Sequence, residues 1–177
     1  MCFEIIGKLM VCWFVADFMA GFFHWWEDQY ATEDMPIIGI LISGPNSMHH
    51  AQPTRFLEGN YFYRNWTNLV PALLVGLSLL CYDFWVALPF LFASQANEIH
   101  GWSHQKSNKF IRMLQDTEFL ASPRHHSKHH KDPFDRNYCV MSGWFNPIYD
   151  NSNFWYIIEW FVFKLTGFRP KHSIPAK

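Results

Sequence analysis

The strongest constraint on the fold is an almost unbroken apolar run from Phe3 to Trp26, interrupted only by Glu4, Lys8, Asp17 and His24. A helix needs about 20 such residues to cross a bilayer. A cleaved signal peptide is the competing reading, but the run has no basic start and no small-x-small cleavage site before its Trp-rich end. A second apolar stretch, 66–96, is longer than one span of about 20 residues. Tyr82-Asp83 near its middle suits a tight turn, so the stretch predicts a hairpin of two helices, about 68–81 and 84–100. One long buried helix is the alternative, although soluble helices average about 11–12 residues. Pro36–Ser43 is apolar but too short to span and suits a re-entrant or interfacial piece. Asn153–Leu165, rich in Trp, Phe and Ile and broken by Glu159 and Lys164, suits a helix lying at the membrane surface. The pattern predicts an all-α membrane protein, one domain over 1–177. It has about three transmembrane helices (about 3–26, 68–81 and 84–100) and a cytoplasmic, histidine-rich helical cap over 101–177.

Composition removes several function classes. A net charge of −1 gives no overall basic character for nucleic acid. With 18 Phe, 9 Trp and 7 Tyr the chain is too apolar for a solvated coil. The four cysteines form no CxxC pair, which argues against a disulfide scaffold or a zinc-thiolate site.

Three spans have a testable corollary. All 10 histidines, and every Lys and Arg except Lys8, then fall on one side of the membrane. Basic flanking loops mark that side as cytoplasmic. Two independent features converge on one face.

The histidines fall in groups. Ser122-Pro123 reads as a helix start, an N-cap followed by proline at the first position. On the helix this predicts, His125, His126, His129 and His130 span an arc of about 140°, and Asp132-Pro133 ends it. A solvated basic patch or pH-sensitive surface is the bland alternative. Asn97, His100 and His104 share a face at i, i+3 and i+7. The His100–His104 spacing puts two imidazoles within reach of one metal, although paired interfacial histidines alone are a weak signal. Asp17, Gly21, His24 and Asp28 form one stripe of the first helix. An acid deep in a span is a functional hypothesis by default. Its depth, about 10 Å from His24 along the axis, suits a partner orienting an imidazole on another helix. Gly21 suits close approach of a neighbouring helix. His49-His50 completes the set, and His172, in a Pro-flanked tail, is left outside it.

Nine clustered histidines plus Asp28 are enough ligands for about two metals. Imidazole suits zinc, copper, iron and nickel, and four ligands would already saturate a structural zinc. A nitrogen-rich site with nearby carboxylates at a membrane face suits a pair of irons that activates dioxygen.

At this point the chain resembles the Kua-type lipid desaturase family, which takes in plasmanylethanolamine desaturases and plastid desaturases of phosphatidylglycerol. The resemblance is carried by Ala16-Asp17 through Gly21, His24-Trp25 and Asp28; by His49-His50-x-x-Pro53; by Asn97-x-Ile99-His100-x-Trp102-Ser103-His104; by Leu114-Gln115-Asp116; and by His125-His126-x-x-His129-His130-x-x-Pro133. It continues through Asn137-Tyr138-Cys139-Val140-x-Ser142-Gly143-Trp144, Glu159 and Thr166-Gly167-x-Arg169-Pro170. It implies a di-iron enzyme that uses O2 and two electrons to form a double bond in a phospholipid chain, with electrons from a carrier such as cytochrome b5 or a ferredoxin. Family ligands carry over onto His24, His49, His50, His100, His104, His126, His129 and His130, with His125 and Asp28 as further candidates. Asp17 and Asn97 are expected to support the ligands. Lys106, Lys109, Arg112, Lys128, Lys131 and Arg136 are candidates for holding a lipid headgroup or an acidic electron carrier, with positive-inside bias as the plain alternative. The implied location is an integral, multi-pass protein of the endoplasmic reticulum in a eukaryote, or of a plastid or bacterial inner membrane. A membrane lipid hydroxylase shares this chemistry. A histidine-rich metal transporter would need more polar residues inside its spans.

Overall fold

A computed structural model describes residues 2–172, and among them every regular element is helical. Helix α1 (Cys2–Gln29) fulfils the expectation from the first apolar run. At 1.5 Å per residue its 28 residues extend about 42 Å. Among the described residues it is the one helix both long and apolar enough to cross a membrane. Phe3, Ile6, Val11 and Phe23 face outward, whereas Ala16, Asp17, Gly21, His24 and Asp28 form a buried stripe.

The chain then doubles back. A π-turn (Gly39–Ser43) runs directly into α2 (Gly44–Ala51), so the short apolar piece Pro36–Ser43 leads into a histidine-bearing helix. Ser43 Oγ donates to the Ala31 carbonyl at 2.8 Å and fixes this return. A 3-10 turn (Arg55–Leu57) precedes α3 (Tyr61–Leu79), which Asn60 caps by accepting from Tyr63 N. Asp83 accepts from the backbone of Trp85 and Val86 and starts α4 (Phe84–Ala93), so the predicted hairpin turns where Tyr82-Asp83 suggested.

The helix predicted over 84–100 is two helices. The chain breaks at Ser94-Gln95, where Gln95 N bonds three residues back to Phe92 O and Ser94 Oγ bonds the Leu91 carbonyl, and restarts as α5 (Ala96–Ser103). A second correction concerns 123–130. After α6 (Lys109–Asp116), α7 is only the single turn Pro123–His126. From there the bonds run three residues back, Lys128 N to His125 O and His129 N to His126 O, so the following histidines sit on turns. α8 (Asn146–Asn151) and α9 (Phe154–Thr166) follow, and α9 matches the helix expected over Asn153–Leu165.

Between α7 and α8 runs an irregular strap, 137–143, that is more deeply buried than most of the helices. Tyr138, Met141 and Ser142 have no exposed surface. Asp17 holds it: its carboxylate accepts from Met141 N (3.0 Å), Ser142 N (3.1 Å) and Ser142 Oγ (2.6 Å). This corrects the expectation for Asp17, which orients a backbone segment and no imidazole. Charge-assisted bonds to buried N–H groups explain why an acid persists so deep. Gly21 also serves the strap. A Cβ there would lie 2.6 Å from Cys139 Sγ and 3.0 Å from Cys139 Cα, so the close neighbour is the strap and not a helix. Strap residues Val140 and Met141 pack with Ala16, Ile99 and Leu120, and Tyr138 packs with Trp25 and Trp155. The outer faces of α3, α4 and α9 leave Leu74, Leu77, Val86, Trp160, Phe161 and Leu165 exposed.

Candidate metal centre

The histidine segments converge on one place at the C-terminal end of α1. Two groups of ligand atoms form there, each within 4.8 Å of one another: His49, His100, His104, His126 and His130 in the first, and His24, Asp28, His50 and His129 in the second. The chain distributes them by helical rotation. Successive residues on a helix point about 100° apart, so the adjacent pair His49-His50 on α2 splits between the groups. His129-His130 splits likewise on the turns after α7. The one-turn pairs His100–His104 and His24–Asp28 each stay within one group.

In the first group four Nε2 atoms face inward. His100 lies 2.8 Å from His126 and 3.1 Å from His104, and His126 lies 3.0 Å from His130. Imidazole nitrogens bind zinc at about 2.0–2.1 Å, so two neighbouring ligands of a metal of that size stand about 3 Å apart. The observed contacts have that spacing. The group is neutral: burial first and neighbouring imidazoles second push His104 down to about 4 and His130 down to about 2. The same causes hold His49 and His126 well below the usual imidazole range. Neutral imidazole is the ligating form.

The second group adds one carboxylate. Asp28 Oδ1 lies 2.9 Å from His50 Nε2 and accepts from Asn46 Nδ2 at 2.6 Å. Its Oδ2 lies 3.2 Å from His129 Nε2 and 3.6 Å from His24 Nε2. His24 Nδ1 donates to the Tyr138 carbonyl at 3.1 Å and His129 Nδ1 to the Arg136 carbonyl at 2.8 Å. Each bond fixes the tautomer and leaves the Nε2 lone pair aimed inward, the arrangement common around metal-binding histidines. His24 Nε2, His129 Nε2, Asp28 Oδ2 and both nitrogens of His49 are buried without a hydrogen-bond partner. Buried polar atoms are normally satisfied, so orphans converging on two points fit metal ions.

Other expected site residues lie apart. His125 belongs to neither group: its Nε2 accepts from Asn146 Nδ2 at 2.9 Å, and Glu118 Oε2 lies 3.8 Å from its Nδ1. Asn97 donates to the Arg64 carbonyl at 3.4 Å, on α3. Lys106, Lys109, Arg112, Lys128, Lys131 and Arg136 are exposed. Lys106 and Arg112 line a polar cleft of about 470 Å³ together with Ser107 and Arg124. Sequence reasoning assigned no role to Asn46, Asn146, Glu118 or the carbonyls of Arg136 and Tyr138. A backbone carbonyl leaves no side-chain signature.

A helical framework that gathers eight histidines and an aspartate into two groups gives a histidine-rich site that could hold metal ions. The chain belongs to the lipid desaturase family, whose lipid desaturase domain matches residues 13–173. It is 30% identical over 175 residues to plasmanylethanolamine desaturase 1 of Mus musculus, covering 89% of this chain and 64% of that protein. It is 28% identical over 180 residues to plasmanylethanolamine desaturase of Myxococcus xanthus (96% and 64%). It is 31% identical over 168 residues to the chloroplastic fatty acid desaturase 4-like 2 of Arabidopsis thaliana (89% and 59%). The chain thus spans less than two thirds of the length of these relatives. No solved structure matches it.

Proposed function

We propose that the protein is a membrane-embedded, di-iron, O2-dependent lipid desaturase that forms a double bond in an acyl or plasmanyl ether chain of a phospholipid. The observation that carries this reading is the pair of adjacent ligand groups, five imidazoles beside three imidazoles and a carboxylate. His49, His100, His104, His126 and His130 would hold one iron, and His24, Asp28, His50 and His129 the other. Bound iron would supply the redox chemistry by which O2, two electrons and two protons take two hydrogens from the chain and leave as water. The protein's own part is positioning. Tyr138 and Arg136 carbonyls orient two imidazoles, Asn46 holds Asp28, and the strap pinned by Asp17 keeps the Tyr138 carbonyl in place. Regiochemistry would follow from which carbon the surrounding walls fix against the site.

The reading keeps a single domain with about three spans, α1, α3 and a third made by the 10-residue α4 continued into α5, and places the histidines and exposed cations on the cytoplasmic face. The location is then an integral, multi-pass protein of the endoplasmic reticulum in a eukaryote, or of a plastid or bacterial inner membrane. α9 would lie along the bilayer surface through Trp160, Phe161 and Leu165. Lys106 and Arg112 in the cleft, which Asp116 and Glu118 also line, together with Lys128 and Lys131 would meet a phospholipid headgroup or an acidic electron carrier such as cytochrome b5 or a ferredoxin. The test is a lipid profile of cells expressing the protein. A product lighter by two hydrogens supports the reading. A product heavier by one oxygen makes the protein a hydroxylase, and an unchanged profile with iron bound overturns lipid chemistry altogether.

A further inference from the structure

Phe56 packs against the first ligand group and Phe134 against the second, where the buried Tyr138 ring also lies 5.4 Å from His129 and 6.1 Å from His24. Phe56, on the 3-10 turn Arg55–Leu57, lies edge-on to His49 and His104 with centroids 4.7 and 5.6 Å apart, and tilted over His100 at 5.2 Å. All three belong to the first group. Phe134 lies edge-on to His50 of the second group at 4.8 Å. Among the described residues neither ring touches an imidazole of the other group.

Phe134 has φ of 60°, a left-handed conformation that bulky residues rarely adopt. The backbone is pinned there: Phe134 N donates to the Lys131 carbonyl at 2.9 Å, and the Phe134 carbonyl accepts from Tyr138 Oη at 2.8 Å and Gln29 Nε2 at 3.4 Å. Gly101, between His100 and the C-cap His104 of α5, lies against the turn that carries Phe56. A Cβ on Gly101 would stand 3.1 Å from Leu57 Cδ2 and 3.6 Å from Phe56 Cζ, so a side chain there pushes on the turn that carries the ring. A phenyl ring offers a metal no lone pair. Its contribution at such a site is to exclude water, and the apolar shell of a metal site controls solvent access.

We infer that Phe56 and Phe134 are independent positioning residues, each shielding one metal group from water and small solutes: Phe56 the five-histidine group and Phe134 the group containing Asp28. The inference rests on the two-metal reading above. It gives the enzyme two separately controlled approaches, so one iron can be uncovered while the other stays dry.

The test uses the iron-loaded full chain and a coloured bipyridine-type ferrous chelator, with release followed by absorbance. The wild type should release both irons slowly. Phe56→Ala should release one of the two at least about tenfold faster and leave the other slow, a size typical of changes around a metal site. Phe134→Gly, which removes the ring and relieves the left-handed backbone, should speed the other, and the double variant should speed both. Phe56→Leu keeps apolar bulk and should stay near wild type, which a merely structural loss would not reproduce. Gly101→Ala should act as a weaker Phe56→Ala, and adding Leu57→Ala should reverse it. Single variants that speed both irons equally, or neither, overturn the inference. A wild type that carries fewer than two irons fails the underlying reading instead.

Discussion

Replacing Asp17 separates two effects that work in opposite directions. In Asp17→Leu the N–H groups of Met141 and Ser142 lose their acceptor in a fully buried position. An orphaned buried donor costs about 1–3 kcal/mol, so the pair costs about 2–6 kcal/mol. The same change removes an acid from the middle of α1, which is worth about 2.5–3.5 kcal/mol for membrane insertion. Expression should therefore hold or rise while the purified protein melts earlier. The damage should reach the metal centre through the strap, because Tyr138, three residues before Met141, provides the carbonyl that orients His24. The group containing Asp28 should lose metal first. Asp17→Asn keeps an acceptor for both N–H groups and weakens mainly the Ser142 hydroxyl contact, a loss of about 1 kcal/mol. The assay is the thermal midpoint in detergent, with iron per chain at matched protein, across wild type, Asn and Leu variants. A Leu variant that melts with the wild type and keeps its iron would show that the strap is not held by Asp17.

His125→Ala should leave both irons bound while lowering the melting point, because His125 partners Asn146 outside the ligand groups, whereas His126→Ala should strip iron; metal analysis of both variants checks this. Burial raises Asp150 from 3.8 to about 6, so the fold favours its protonated form. The stability this contributes is complete below 3.8 and lost as pH rises through about 6. Asp150→Asn should flatten that part of the stability–pH curve, measured by denaturant melts across the window. Cys81, exposed in the α3–α4 turn, should react with an impermeant maleimide from the side opposite an introduced Lys128→Cys in sealed vesicles. Labelling of both from one side would refute the three-span arrangement.

The elements that were legible in the sequence are those whose signal is local. α1 and the α3–α4 hairpin announce themselves by long apolar runs and a turn at Tyr82-Asp83, and the candidate ligands by their spacing. What stayed hidden depends on tertiary context. The strap 137–143 has no periodicity, and its burial comes from hydrogen bonds to residues more than a hundred positions away, Asp17 among them. The division of His129 from His130 follows from the turns after α7, where the sequence suggested a continuing helix. His125 shares its motif with the cluster histidines but points to Asn146, because it adjoins His126 on the single turn of α7 and successive helical residues point about 100° apart. The sequon Asn65-Trp66-Thr67 illustrates the same limit. Asn65 is fully buried and donates to Tyr61 O and Glu98, so a sequon that reads as a surface site holds a structural asparagine.

The central claim is that these ligands hold two irons, and elemental analysis of the purified full chain measures it directly. The account predicts about two irons per chain, falling by about one in His129→Ala as the group containing Asp28 is disabled. One zinc and no iron per chain would contradict it.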